Sequence, residues 1–160
     1  MKAIIKSLAA AAMMSAAAFT AIPMAQADDA IEKAIKARRG AMQLYSHYAG
    51  PLFGMAKGDI EYDAALAASL AENLNTVVNL SGARMWPPES DNKSRKGKTR
   101  AKPEIWQADS KVGEASQAMK DAALAISLVA GDGLDALRGS IGDVGNSCKG
   151  CHDDYRAKDF

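Results

Sequence analysis

The stretch LDALRGSIGDVGNSCKGCHDDYR, residues 134–156, decides how this chain is to be read. Along it Leu134, Leu137, Ile141, Val144, Cys148, Cys151 and Tyr155 recur at alternating steps of three and four, the spacing of one buried face of a helix. Gly139, Gly142 and Gly145 weaken that helix locally without changing its period. Near its end stand two thiols, Cys148 and Cys151, with His152 directly after the second.

The same period recurs upstream. Ile31, Ile35, Arg38, Met42, Tyr45, Ala49 and Leu52 form a seam in a first helix from about Asp29 to Met55, with Pro51 expected to kink or interrupt it and Lys57-Gly58 to stop it. A second helix opens near Tyr62-Asp63, carries Leu66, Leu70, Leu74, Val77 and Leu80, and ends at Ser81-Gly82. Pro103-Glu104 suits the first turn of a third, which carries Ile105, Trp106, Val112, Ala115, Met119, Ala122, Ile126 and Val129 and stops at Gly131. Four amphipathic helices with mostly short connections predict an all-α, antiparallel four-helix bundle without internal repeats.

The first 27 residues read differently. Lys2 and Lys6 precede an Ala-rich apolar run from Leu8 to Ile22, and Ala25-Gln26-Ala27 offers a small-x-small cleavage site before Asp28. That order is a secretory signal peptide, with residues 28–160 as the exported domain and a bacterial periplasm as its expected compartment. No later run is apolar enough to span a bilayer. The whole chain has 20 basic and 19 acidic residues, so bulk charge points to no partner, nucleic acid included.

Charge is nevertheless uneven. Between the second and third helices, Ala83 to Lys102 carries Pro87-Pro88 and seven cations, Arg84, Lys93, Arg95, Lys96, Lys98, Arg100 and Lys102, against Glu89 and Asp91. The segment has a net charge of +5 and is longer than a bundle connection needs. Two readings are open: a solvated, mobile loop, or a docking patch for an acidic partner.

Two cysteines so close together make no disulfide framework, and with one histidine they fall short of a four-ligand zinc site. Cys148-Lys149-Gly150-Cys151-His152 fits instead the attachment pattern of c-type haem. Thiols three positions apart on a helix can each add to one haem vinyl group, and the adjacent histidine then supplies an axial nitrogen to the iron. A thioredoxin-like pair would sit at the start of a helix after a strand, and no strand is expected here.

At this point the chain resembles the class II cytochromes c over essentially residues 29 to 158. The resemblance is carried by Lys36-Ala37-Arg38-Arg39-Gly40-Ala41-Met42, Lys57-Gly58, Lys102-Pro103-Glu104-Ile105-Trp106, Gly142-Asp143-Val144-Gly145 and the haem motif with Tyr155 and Arg156. It implies a four-helix bundle with one covalent haem c near the C-terminus. The family divides on what faces the iron opposite the histidine: an apolar residue in high-spin cytochromes c′, which take up NO or CO, or a methionine in low-spin relatives that carry electrons. Fifteen residues before Lys57, the family's distal position falls on Met42. Taken alone, a methionine on a helix seam is core filler; with the haem and this register, the resemblance implies that Met42 joins His152 as an axial ligand.

Arg38 breaks the apolar seam one turn before Met42, and a buried charge demands a partner. A haem propionate and a snorkel to solvent are both open, the first being what the resemblance implies. Arg156, one turn after His152, is placed on the same helix face as a second haem contact. His47 is expected to be exposed, and Trp106 and Tyr155 to pack. The sequence therefore predicts a periplasmic one-electron carrier with a His/Met-ligated haem, serving redox partner proteins; the alternative is NO- or CO-binding of cytochrome c′ type. With no distal histidine placed for acid–base work, an enzyme is not expected. A homodimer through the first two helices is what the resemblance implies.

Overall fold

A computed structural model describes residues 24–160, with side chains from Gln26. Most of the expected leader, residues 1–23, lies outside the described residues. Four helices, α1 (Met24–Lys57), α2 (Ala64–Val78), α3 (Val112–Val129) and α4 (Leu134–Tyr155), pack as the expected bundle. Among the described residues there is no strand, only one isolated bridge between Ala101 and Arg156, and no helix long and apolar enough to cross a membrane.

The core is aliphatic and small. Leu52, Met55, Leu74, Ile126, Leu137 and Val144 are fully enclosed, and Ala67, Ala71 and Ala123 let α2 and α3 approach closely. Burying each of the large side chains contributes roughly 1.5–3 kcal/mol. α2 packs against α1 and α3, and α3 against α4; the α1–α4 seam is the sparsest of the four. Asp63 caps α2 by accepting from Leu66 N at 2.8 Å. Tyr62 Oη donates to Ala130 O and accepts from Gly133 N, both at 2.9 Å, and so fastens the α3–α4 turn to the entry of α2.

Besides the start of α1 at Met24 rather than near Asp29, three boundaries differ from the periodic reading. α1 runs uninterrupted through Pro51 and ends at Lys57, where Gly58 takes the left-handed φ of 86° that stops the helix. α2 ends at Val78, so Leu80 lies beyond it and is exposed. Pro103–Trp106 forms only a 3-10 turn, after which Gln107 is extended; α3 starts at Val112. Tertiary bonds explain this last correction. Trp106 Nε1 donates to Trp86 O at 3.1 Å, and Lys111 N donates to Tyr155 Oη at 2.8 Å, so the chain is fastened at two points before the helix begins.

The +5 segment is anchored to the bundle at several points, with its exposed cations between them. Ser90, Asp91 and Thr99 are buried, and Asn92 N donates to Ala101 O at 2.7 Å across its base. Glu89, at a left-handed φ of 61°, turns the chain inward to Ser90. Asp91 accepts from Lys93 N, Ser94 N and Ser94 Oγ at 2.8 to 3.0 Å. Arg95 pairs with Asp28 at 2.8 Å and Lys98 with Glu32 at 3.5 Å, both on α1. Lys102 Nζ donates to the carbonyls of Asp153 and Asp154, at the end of α4 where a cation suits the helix dipole. Arg84, Lys93, Lys96 and Lys98 stay exposed.

Candidate functional site

Cys148, Cys151 and His152 occupy successive turns of the last third of α4 and are all partly buried. Cys148 packs on the core, with Sγ 3.9 Å from Met119 Sδ, and Ser147 Oγ lies 3.2 Å from the same sulfur. Met119 is thus core, as its place in the period predicts, but core that touches Cys148. Cys151 instead lines an open groove of about 720 Å³ between α3 and α4, with Ala115, Ala118 and Ala122 on its floor. Both thiols are free, and burial pushes each above its ordinary pKa.

The His152 imidazole titrates below its usual range, first because it is desolvated and then because Arg156 and Arg100 stand near it, against an opposing pull from Asp153. The neutral ring is the form that can coordinate a metal. Two sulfurs on neighbouring turns with an adjacent neutral imidazole form a donor set that fits a haem held by two thioethers and one axial nitrogen.

Across from α4, α1 carries Arg38 and Met42, the other residues expected at the site. Phe53 lies against Gly145, where a methyl group would sit 3.5 Å from the ring, and Arg138 Nε donates to Ala56 O at 2.8 Å. The helices are antiparallel and rise equally per residue, so eleven to fourteen residues back along α1 match as many forward along α4. Met42 therefore stands level with the turn from His152 to Arg156. Around it the seam residues Arg38, Ala49 and Leu52 are buried and Tyr45 is half-buried, whereas Met42 itself is 39% exposed and not part of the core. Core filler is therefore not its role. The other methionines nearby differ: Met55 is fully enclosed, and Met85 lies in the connection. His47 is exposed, edge-on to Tyr48.

Of the two readings open for Arg38, the snorkel to solvent is overturned. Arg38 is 4% exposed and does not reach solvent. Its Nη1 donates to Ser90 Oγ at 2.7 Å and Met85 O at 3.5 Å, and its Nη2 donates to Ser90 O and to Thr99 Oγ1, the latter at 2.6 Å. The Trp86 ring covers the guanidinium at 4.8 Å. Desolvation lowers its pKa to about 10, with nearby Asp91 opposing, so it remains a cation at neutral pH. Each charge-assisted bond of this kind contributes about 1.5–3 kcal/mol. The partner that a buried charge requires is supplied by the chain itself.

Arg156 is corrected in a smaller way. α4 ends at Tyr155, and Arg156 is its extended C-cap, so it does not share a helix face with His152. It stays beside the imidazole because the bridge to Ala101 and its own N–H to His152 O fix its backbone there. Sequence periodicity missed Ser90 and Thr99, which sit outside any helix, and Lys102 as a cap. The one signal for the first two was Arg38 itself, a charge on an apolar seam.

A family profile described as Cytochrome C' matches residues 33–156. A cytochrome c′ of Cereibacter sphaeroides is 35% identical over 146 residues, covering 91% of this chain and 97% of the relative. A cytochrome c-554 of the same organism is 35% identical over 136 residues, covering 85% and 88%. Among solved structures, a cytochrome c′ from Rhodobacter Spheriodes aligns with a TM-score of 0.77 at 37% identity, over 80% of this chain and 98% of that one. A nitric oxide complex of a variant cytochrome c prime from Alcaligenes xylosoxidans aligns with a TM-score of 0.69 at 36% identity, over 80% and 96%.

Proposed function

The chain belongs to the cytochrome c′ family, whose members carry a covalently attached c-type haem, and from that premise we propose that it is a one-electron carrier with the haem ligated by His152 and Met42. Cys148 and Cys151 are the thiols assigned to the two thioether bonds. Bound haem supplies an iron that alternates between ferric and ferrous states. His152 offers a neutral imidazole nitrogen from α4, and Met42 offers a thioether sulfur from α1. Held by two protein ligands, the iron would keep nearly the same coordination in both states and would be closed to exogenous ligands, which would suit electron transfer. Of the two arginines expected near the haem, we keep Arg156 for its carboxylates and assign Arg38 to the connection.

The observation that carries this reading is the placement of Met42: a seam residue, level with His152, whose side chain is left out of the core. We further place the protein in the periplasm as residues 28–160, exchanging electrons with redox partner proteins. Arg84, Lys93, Lys96 and Lys98 are the exposed cations of the connection that an acidic partner would meet. Pairing of two copies through α1 and α2 is the assembly that goes with the family resemblance.

The test is the absorption spectrum of the purified ferric protein. Low-spin bands with the weak near-infrared charge-transfer band of methionine–iron ligation are expected. A high-spin spectrum without that band would reject Met42 as a ligand. The second reading would then stand, binding of NO or CO at the distal side. What favours it is the alignment with a cytochrome c prime in complex with nitric oxide.

A further inference from the structure

α1 and α4 meet less than any other pair of neighbouring helices in the bundle. The contact of Phe53 with Gly145 is eleven residues, or about 16 Å of helix, from the level of Met42. From there toward its N-terminus α1 packs on the core through Ala49 and Tyr45 and is also held by the segment between α2 and α3, through Arg38, Asp28 and Glu32. Exposed ion pairs such as the last two hold little, so the grip on α1 is the buried guanidinium.

The other end of that segment is built onto α4. Thr99 Oγ1, which accepts from Arg38 Nη2, also accepts from Ala101 N at 3.1 Å. Ala101 bridges Arg156, Lys102 N donates to Tyr155 O at 2.9 Å, and Ala157 N donates to Arg100 O at 2.8 Å. Arg156 N in turn donates to His152 O at 3.2 Å. Every link from Arg38, one turn before Met42, to His152 is therefore backbone or a buried side chain. The link is also stiff, since Ser90 Oγ donates to Pro87 O and the Asn92–Ala101 bond closes the segment across its base.

We propose that residues 90–101 form a strut that sets the separation between Met42 on α1 and His152 on α4, with Arg38 and Thr99 as its positioning residues. The proposal rests on the reading of Met42 as the second axial ligand. An axial thioether is sensitive to such spacing, because a ligand must be held to within about 0.5 Å of its productive place by groups that are themselves locked. Thr99 is the point at which the two halves of the strut meet. Loss of its hydroxyl removes the direct bond between Arg38 and the stretch that bridges Arg156, leaving Arg38 with Ser90.

The experiment compares haem-loaded wild type, Thr99→Val and Thr99→Ser by ferric near-infrared spectrum, rate of CO association to the ferrous form and thermal midpoint. Thr99→Val is expected to weaken the methionine–iron band and to raise the CO rate about tenfold or more, the scale on which orienting residues act on a metal site. Thr99→Ser, which keeps the hydroxyl, is expected to restore both. A Thr99→Val protein that melts earlier but keeps the wild-type band and CO rate would overturn the strut. If Thr99→Val does not fold, Ser90→Ala removes the other hydroxyl that Arg38 uses; the same pair of changes supports the strut and an unchanged pair rejects it. A wild type without the band sinks the ligation reading alone. The strut is then judged by the CO rate, which Thr99→Val must still change and Thr99→Ser restore; an unchanged rate rejects it too.

Discussion

At one end of the α1–α4 seam Phe53 packs on Gly145, and Leu52, Leu137 and Val144 are shut away from solvent. At the other, where Met42 and His152 stand level, the helices are joined through Arg38, Thr99 and Ala101. The first end is held by burial, which is non-directional and tolerates small shifts. The second is held by hydrogen bonds, which fix distance and angle. The proposed pair of ligands on opposite helices would need the second kind of control, and the chain's longest connection supplies it.

The comparison breaks most severely at the apolar end. Leu52→Ala removes a fully enclosed side chain from α1 and should cost about 2–5 kcal/mol of stability. The haem spectrum of the folded fraction should not change, because Leu52 lies beyond the strut. Chemical denaturation beside the spectrum measures both; a change in ligation would mean that the two ends are not separable.

Acid should act first on the polar end. Burial pushes the Asp91 carboxyl upward, but the N–H groups of Ser94 and Lys93 and the Ser94 hydroxyl outweigh it and hold the group below its ordinary 3.8. A carboxylate depressed in the folded state contributes stability above its unfolded pKa and loses that contribution as pH falls through the folded value. Below about pH 4, amide exchange should therefore rise in residues 90–101 before it rises in α2 or α3. Asp91→Asn should flatten that pH dependence; exchange that rises everywhere together would contradict the separation.

The smallest effect sharpens the comparison from the other side. At Gly145 an added methyl would meet the Phe53 ring at 3.5 Å, an ordinary contact. Gly145→Ala should therefore stabilise α4 by about 0.5–1 kcal/mol, the glycine penalty in a helix, with the site unchanged. A lower melting temperature would mean that the apolar end is already at its closest approach.

The helices were legible wherever apolar period and packing agree. Residues 134–155 follow the three-four period from Leu134 to Tyr155, and their three glycines do not interrupt the helix. Pro103-Glu104 misled because a good local start for a helix was outweighed by bonds from Trp106 to Trp86 and from Lys111 to Tyr155. The connection misled more, because a run of cations reads as solvated. Arg84, Lys93, Lys96 and Lys98 are indeed exposed, but what anchors the connection are short polar side chains with no period, Ser90 and Thr99, whose shared partner Arg38 lies more than fifty residues away. Arg38 announced that a partner must exist but not which one. The cysteines and His152 were legible from spacing alone, since both thiols and the imidazole lie on neighbouring turns of one helix.

The central claim, that Met42 closes the distal side, is tested most directly by mixing CO with the ferrous wild type and with Met42→Leu. The exchange nearly conserves volume, so the bundle should remain intact. The account predicts that the wild type binds CO slowly or not at all, while Met42→Leu is high-spin and binds it readily. A wild type that takes up CO as readily as Met42→Leu would contradict it.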